Sequence, residues 1–367
     1  KWVGKRTARP DGVDKVTGRA AYGADFSLPG MMYGAVLRSP HAHAKIVKID
    51  ASKALALAGV KAVITRADFP DGLTGEPWNL QENTIAGERA LYDGHAVAAV
   101  AATSRLLAEE AARLVEVTYE VLPHVTEVDE AIKPDAPVIR AGAADASVPE
   151  GMPPNVVRYM EFGHGDVEAG FAEADIVREG HYLTEATHQG YIEPHACLGQ
   201  MGEDGKGEMW VTTQGQWYIR KMCADVLGME VSQLRVTPSE IGGGFGGKTT
   251  IFMEPLSLAL SKKAGGKPVK IVMSRSEVLR ATGPTASASM DVKIGMKKDG
   301  TITAATANFR MQGGAFPGAP VDMALYCAFA AYKLPAVHHV GYDVLANRPR
   351  AAAYRAPGSP NGAFAVE

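Results

Sequence analysis

The sequence predicts an α+β fold in two parts, and three observations predict it. Short apolar runs alternate with helical patterns over roughly the first third of the chain. A stretch at 134–154, rich in Pro, Ala, Asp and Gly, then breaks every periodicity. Beyond it, strand-like and helical segments resume in mixed order.

In the first part, residues 33–38, 46–49, 60–65, 96–102 and 115–121 are short, apolar and strand-like. Two helices are expected between them. One covers 51–58 behind a capping Asp50; the other covers 104–114 behind Thr103, with Leu106, Leu107, Ala111 and Leu114 on one side. The composition divides the chain into a compact unit at 1–125, a surface linker at 126–155 and a second unit at 156–367. In the second unit, residues 167–174 behind Asp166 predict a helix and 234–237 a strand. Residues 250–264, with Met253, Leu256, Leu258, Leu260 and Ala264, predict a helix stopped by Gly265 and Gly266, and 269–273 a further strand. No repeat at solenoid or propeller spacing is present.

With 46% hydrophobic and 22% charged residues among 367, the chain has an ordinary globular composition and room for two domains. A net charge of −3 with scattered basic residues gives no electrostatic footprint for nucleic acid. No apolar run approaches the roughly eighteen residues of a membrane span, and no secretory h-region stands at the start, so a cytoplasmic chain is expected. Cys197, Cys223 and Cys327 stand far apart and match neither a zinc nor an iron–sulfur pattern, as expected of small buried hydrophobes.

The densest chemical signal is Gly242-Gly243-Gly244-Phe245-Gly246-Gly247-Lys248. Clustered glycines mean close backbone approach or positive φ, and a ligand rich in acceptor oxygens is the natural partner. With Thr249, the run also satisfies the phosphate-loop pattern, so a nucleotide-binding reading of 242–249 stands as an alternative. Against it, Pro238-Ser239-Glu240-Ile241 intervenes between strand and glycines. The next strand also runs into Ser274 and Arg275 without an aspartate for magnesium.

Six segments in order resemble one family: DKVTGRAAYGADF at 14–26, LRSPHAHAKIVKID at 37–50, VTYEVLP at 117–123, Glu193-Pro194-His195, the glycine run, and Ala353-Tyr354-Arg355. Together they resemble the molybdopterin-binding large subunit of the xanthine dehydrogenase and aldehyde oxidoreductase family, over nearly the whole chain. The resemblance implies an N-terminal α/β hammerhead-like domain followed by the first part of a mixed α+β molybdopterin-binding domain. The implied activity is that of a molybdenum-dependent oxidoreductase, a hydroxylase or dehydrogenase placing water-derived oxygen on an electrophilic carbon. The metal would be held through molybdopterin, in plain or cytosine-dinucleotide form, rather than by protein ligands.

By position in the family's motifs, Gln214 of Thr213-Gln214-Gly215 resembles the glutamine that hydrogen-bonds an oxygen ligand of molybdenum. Gly243, Gly244, Phe245, Gly246 and Gly247 resemble the loop against the cofactor, and Arg355 with Ala356 the segment lining the metal and substrate side. Gln214 and Arg355 are therefore the implied catalytic residues. Glu193, Thr249, Met323, Tyr326 and Pro357 are the implied pocket lining. Glu193 and His195, spaced by two, would point the same way on an extended strand, which suggests an acid/base pair or metal site, against a structural or pocket-lining role that the family's chemistry favours. His41 and His43 share that spacing, with Pro40 suggesting a loop.

The resemblance also implies what this chain lacks. The general-base glutamate lies in a glycine-rich motif beyond Glu367, so a second molybdopterin-binding chain, or the remainder of the same gene product, is expected to supply it. Glu367 itself is not that group. Iron–sulfur clusters and FAD are expected on partner subunits, and activity only with those partners. Thr249 and Met323 replace two polar groups of purine hydroxylases, Ala356 replaces the copper-binding cysteine of carbon monoxide dehydrogenases, and Pro357 replaces a frequent aromatic wall. Together with Leu325 and Phe329, these leave an aldehyde, an aromatic heterocycle or another apolar substrate. A subunit that only holds the cofactor, without turnover, is the second reading.

Overall fold

The computed structural model of the chain describes residues 2–367. Its largest sheet has seven strands in the order Leu234–Pro238, Gly207–Val211, Ala196–Met201, Val269–Val272, Met32–Arg38, Ala96–Ala102 and Val60–Ile64. Four of these come from beyond the linker and three from before it. The halves join where Met32, Tyr33 and Gly34 pair in parallel with Val269, Lys270 and Ile271. A Cβ on Gly34 would stand 2.6 Å from Ile271 Cγ1, so the join requires a residue without one.

This sheet shares one core between the two expected parts. Ile64, Leu80, Ile85 and Ala99 from the first pack with Met209, Ile219, Leu256 and Leu258 from the second. Every residue of Ala96–Ala102 is buried, which explains why that strand reads as an unbroken apolar run rather than an alternating one. A five-stranded sheet runs Val156–His164, Val337–Leu345, Ile302–Gly314, Ala288–Met296 and Ile176–Thr184, and helices Val321–Cys327 and Ser359–Val366 pack on it around Phe309 and Leu325. Arg89–Ala90, Ala44–Asp50 and Glu116–Val121 form a small third sheet.

Capping chemistry sets the helix starts. Arg105–Leu114 is capped by Ser104, whose hydroxyl accepts from Leu107 N–H at 3.3 Å, so the cap is one residue later than Thr103. Asp166 caps Val167–Ala172 as expected, accepting from Ala169 N–H. Asp50 accepts from Ser52 N–H, yet only the single turn Ser52–Leu55 forms. The helix expected from 250 starts at Glu254 instead. Pro255 suits a first turn, and the buried Glu254 side chain accepts from the Phe252 and Met253 N–H groups just before it.

Residues 134–154 contain no helix or strand, but they do not run freely over the surface. Ile139 is buried, and its N–H donates to Asn155 Oδ1. The Arg140 guanidinium lies between the Trp78 and Phe316 rings, 4.0 and 4.5 Å from their centroids. Cys197 and Cys223 are buried; Cys327 is half-buried, with Sγ 3.0 Å from Ser359 Oγ.

Because the seven-stranded sheet takes strands from both sides of 126–155, the first part depends on the second for half its core. A fragment of residues 1–125 is expected to show no cooperative urea unfolding transition by circular dichroism, whereas the whole chain shows one.

Candidate functional site

The glycine loop leaves the strand Leu234–Pro238 at the edge of the large sheet and returns beside the end of the strand Gly207–Val211. There Gln214 N–H and Thr213 Oγ1 both donate to Lys248 O, at 3.0 and 3.1 Å. The side chain of Gln214 then turns over the loop, and its Oε1 accepts from Gly246 N–H at 2.8 Å and Lys248 N–H at 3.2 Å. One oxygen thus organises the turn. Among the described residues no acceptor faces Gln214 Nε2 or the N–H groups of Gly244 and Phe245.

The glycines make room for the protein itself. A Cβ on Gly244 would stand 2.5 Å from Gln214 Oε1, and one on Gly246, at φ 104°, 2.6 Å from Ala353 O. The close approach expected of the glycines is met here by protein atoms, those of Gln214 and of Ala353. The 353–356 segment hydrogen-bonds the loop directly, with Arg355 N–H donating to Phe245 O at 2.9 Å.

Backbone strain marks the same place. Of the four non-glycine residues at positive φ among those described, three are Phe245 at 52°, Arg355 at 28° and Ala356 at 58°. Such residues persist only where their surroundings over-determine them, and they cluster at working sites. Phe245 is 48% exposed despite its apolar ring, and Arg355 is exposed with no ion pair from its guanidinium among the described residues.

Below the loop lies a buried ion pair. Lys248 is 1% exposed, and its Nζ donates to Glu193 Oε2 and to Glu193 O, each at 2.9 Å. Burial lowers the Lys248 pKa, and hydrogen bonding and charge from Glu193 oppose that shift. Glu193 also accepts from Gly242 N–H at 2.7 Å, Thr212 Oγ1 at 3.0 Å and Gly23 N–H at 3.3 Å. The nucleotide alternative is overturned here: the lysine is spent on a carboxylate, and the next helix begins only at Glu254.

His195 shares none of this. It is 1% exposed, with Nε2 2.6 Å from Tyr191 OH, and Tyr191 OH lies 3.3 Å from Thr282 Oγ1. Thr282 donates to Val278 O, so it accepts from Tyr191 and from His188 Nε2. Proton bookkeeping therefore runs from His195 Nε2–H through Tyr191 to Thr282, leaving Nδ1 a buried acceptor without a partner. Burial holds His195 neutral, well below the usual histidine range, and raises Tyr191 to about 12. Glu193 and His195 are not a pair: one holds the loop, the other packs beneath Phe252.

The expected pocket residues separate. Thr249 Oγ1 closes the turn on Gly246 O at 2.7 Å. Pro357 continues the strained segment, and the next residue, Gly358, lies against Ala324 N of the helix Val321–Cys327. Met323 is partly exposed on that helix. Tyr326 is exposed and packs toward Phe162 of the five-stranded sheet, with ring centroids 5.4 Å apart. Leu325 and Phe329 are core. His43 Nδ1 lies 2.7 Å from Pro123 O in a buried position, remote in role from any metal. Gln189, buried between the two strained loops, was missed; a lone glutamine in an irregular segment carries no pattern.

A family model described as molybdopterin cofactor-binding domain matches residues 148–367, and one described as aldehyde oxidase and xanthine dehydrogenase, a/b hammerhead domain, matches 17–123. The chain belongs to the aldehyde oxidase and xanthine dehydrogenase family. It is 33% identical to the xanthine dehydrogenase molybdenum-binding subunit of Escherichia coli O157:H7 over 98% of its own length and 48% of that subunit. It is 31% identical to the nicotinate dehydrogenase large molybdopterin subunit of Eubacterium barkeri, over all of its own length and 84% of that subunit. Aldehyde oxidoreductase from Desulfovibrio gigas superposes with a TM-score of 0.88 at 29% identity, over 99% of this chain and 41% of that one. The chain thus spans about half the length of several relatives it matches. Among the described residues, no helix of this family member is long and apolar enough to cross a membrane.

Lys248→Met leaves the Glu193 carboxylate buried without its cation and is expected to cost about 3–5 kcal/mol in urea denaturation; adding Glu193→Gln is expected to restore part of that loss. His95, at about 4, and His195 are both neutral in the fold, while the unfolded chain takes up their protons below about pH 6.5. Stability is therefore expected to fall as pH drops from about 6.5 toward 4, and His195→Gln to flatten that fall, read from urea midpoints across the range.

Proposed function

We propose that this chain is the molybdenum-binding part of a molybdenum hydroxylase that oxidises an aldehyde, an aromatic heterocycle or another apolar substrate at an electrophilic carbon. Molybdopterin, in plain or cytosine-dinucleotide form, would be its cofactor, with electrons passing to iron–sulfur clusters and FAD on partner subunits. The observation that carries the reading is the meeting of two strained loops that leave four kinds of donor unspent: Gln214 Nε2, the Gly244 and Phe245 N–H groups, and the Arg355 guanidinium. Such a set suits an oxygen-rich anionic group, and Lys248 cancels the one carboxylate nearby.

When bound, the cofactor supplies the redox chemistry and a Lewis-acidic metal. The chain's own residues do the rest. Gln214 Nε2 would donate to an oxygen of the cofactor, its other end being committed to the loop. The loop amides are placed to hold oxygens close without offering a competing ligand, and no cluster of three or more His, Cys, Asp or Glu side chains suited to a metal exists among the described residues. Arg355, fixed through its backbone to Phe245, would offer its guanidinium to negative charge developing on substrate. Glu193 holds the loop and takes no proton from substrate.

Similarity to relatives that are themselves subunits supports an assembly in which a second molybdopterin-binding chain or C-terminal remainder supplies the general-base glutamate. The division at 1–125, 126–155 and 156–367 is proposed for the chain's organisation, supported by the two family-model ranges. Three free cysteines support a reducing, cytoplasmic setting.

The assembly purified from its source is expected to contain molybdenum and a fluorescent pterin, and to turn over an aldehyde or N-heterocycle with a dye acceptor. Gln214→Ala is expected to lower kcat roughly 10²-fold, the scale for losing one preorganised donor. An assembly free of molybdenum would refute the reading, and one that holds molybdenum without turnover would establish the cofactor-holding subunit instead.

A further inference from the structure

Gln189 stands in an irregular segment between the strands Ile176–Thr184 and Ala196–Met201, yet is only 5% exposed. Its Nε2 donates to Gly283 O at 3.0 Å and to Ala353 O at 2.9 Å. Both partners are carbonyls, which only accept, so the amide's orientation follows and both of its hydrogens are used. Its Oε1 is buried and without a partner. The side chain thus keeps an unsatisfied oxygen in order to deliver two N–H groups.

The carbonyl it holds is a sensitive one. Ala353 O is the atom that excludes a side chain at Gly246, and two residues later Arg355 N–H donates to Phe245 O. Gln189 also underlies the glycine loop, where a Cβ on Gly247 would stand 2.8 Å from its Cδ. Gln189 therefore touches both strained loops and a third segment, Thr282–Gly283, which is tied in turn to His188 and Tyr191. Left-handed backbone at Phe245, Arg355 and Ala356 relaxes unless held from outside the loops.

We propose that Gln189 is a positioning residue: by clamping the Ala353 carbonyl between Gly283 and Gly246, it sets where Arg355 and Ala356 stand relative to Gln214 and so the approach of substrate to the cofactor. This rests on the functional reading above. Its consequence for the chain alone is local protection of the Arg355 amide.

The test uses the purified assembly carrying Gln189→Leu or Gln189→Glu. In Gln189→Leu, hydrogen exchange at the Arg355 amide is expected to rise at least tenfold, while Ala96–Ala102 keeps wild-type protection. Molybdenum content and KM are expected to stay within about twofold, while kcat falls roughly 10²-fold, the scale of a small misplacement of reacting groups. In Gln189→Glu, a carboxylate faces two carbonyls in a buried site, which raises its pKa. Activity is then expected to recover as pH falls and the protonated acid regains a donor, a recovery absent from wild type. Unchanged exchange at Arg355 with unchanged kcat would overturn the proposal. So would a rise in exchange shared equally by Ala96–Ala102, which marks general destabilisation. Absence of molybdenum from the wild-type assembly would sink the functional reading while the exchange measurement still decides the clamp.

Discussion

A single buried carboxylate, that of Glu193, holds the site together. It accepts from the N-terminal segment at Gly23, from the end of a sheet strand at Thr212, from the start of the glycine loop at Gly242 and from Lys248 at its end. Four donors on one group tie together pieces of chain far apart in sequence, and the charge is cancelled where water is scarce. With that anion neutralised, Gln214 Nε2, the Gly244 and Phe245 N–H groups and the Arg355 guanidinium stay unspent above it.

The two loops that form the site come from different sheets. The glycine loop leaves the seven-stranded sheet, and residues 353–356 follow the strand Val337–Leu345 of the five-stranded one. A junction of that kind is where ligand sites form, because neither sheet alone can surround a ligand. It is also where strain can be stored: Phe245, Arg355 and Ala356 hold left-handed backbone because hydrogen bonds from Gln214, Gln189 and one another leave them little alternative. Affinity for oxygen-rich anions then comes from groups already in place, which keeps the ordering cost on binding low.

The shared core changes how the hammerhead region is understood. Its strands Met32–Arg38, Ala96–Ala102 and Val60–Ile64 are as much part of the large sheet as the strand Gly207–Val211, which leads into Thr212 and Gln214. Burial of that core from both sides places Gly23, on the N-terminal approach, within reach of Glu193. The N-terminal part thus supports the base of the loop through packing and several polar contacts: Gly23 N–H to Glu193, Glu240 N–H to Ala21 O, and the Lys15–Glu240 ion pair.

Local signals were legible. Alternation and apolar runs gave away Ala96–Ala102 and Val269–Val272, Asp166 announced its helix, and six ordered motifs, from 14–26 through the glycine run to Ala353-Tyr354-Arg355, named the family. Those features depend on neighbours in the chain, so they can be read from it. Illegible were the starts moved by Ser104 and Glu254, the partner of Lys248, the reason for Gly244 and Gly246, and Gln189 altogether. The two helix starts turn on a choice between adjacent capping groups, and the others on contacts across tens to hundreds of residues, such as Lys248 with Glu193 or Gln189 with Ala353. The sequence by itself determined the elements and the residue types available to the site. Tertiary structure alone decided which of those residues are spent holding the loops and which remain free to bind, because hydrogen-bond partners across that distance are set by packing and not by spacing.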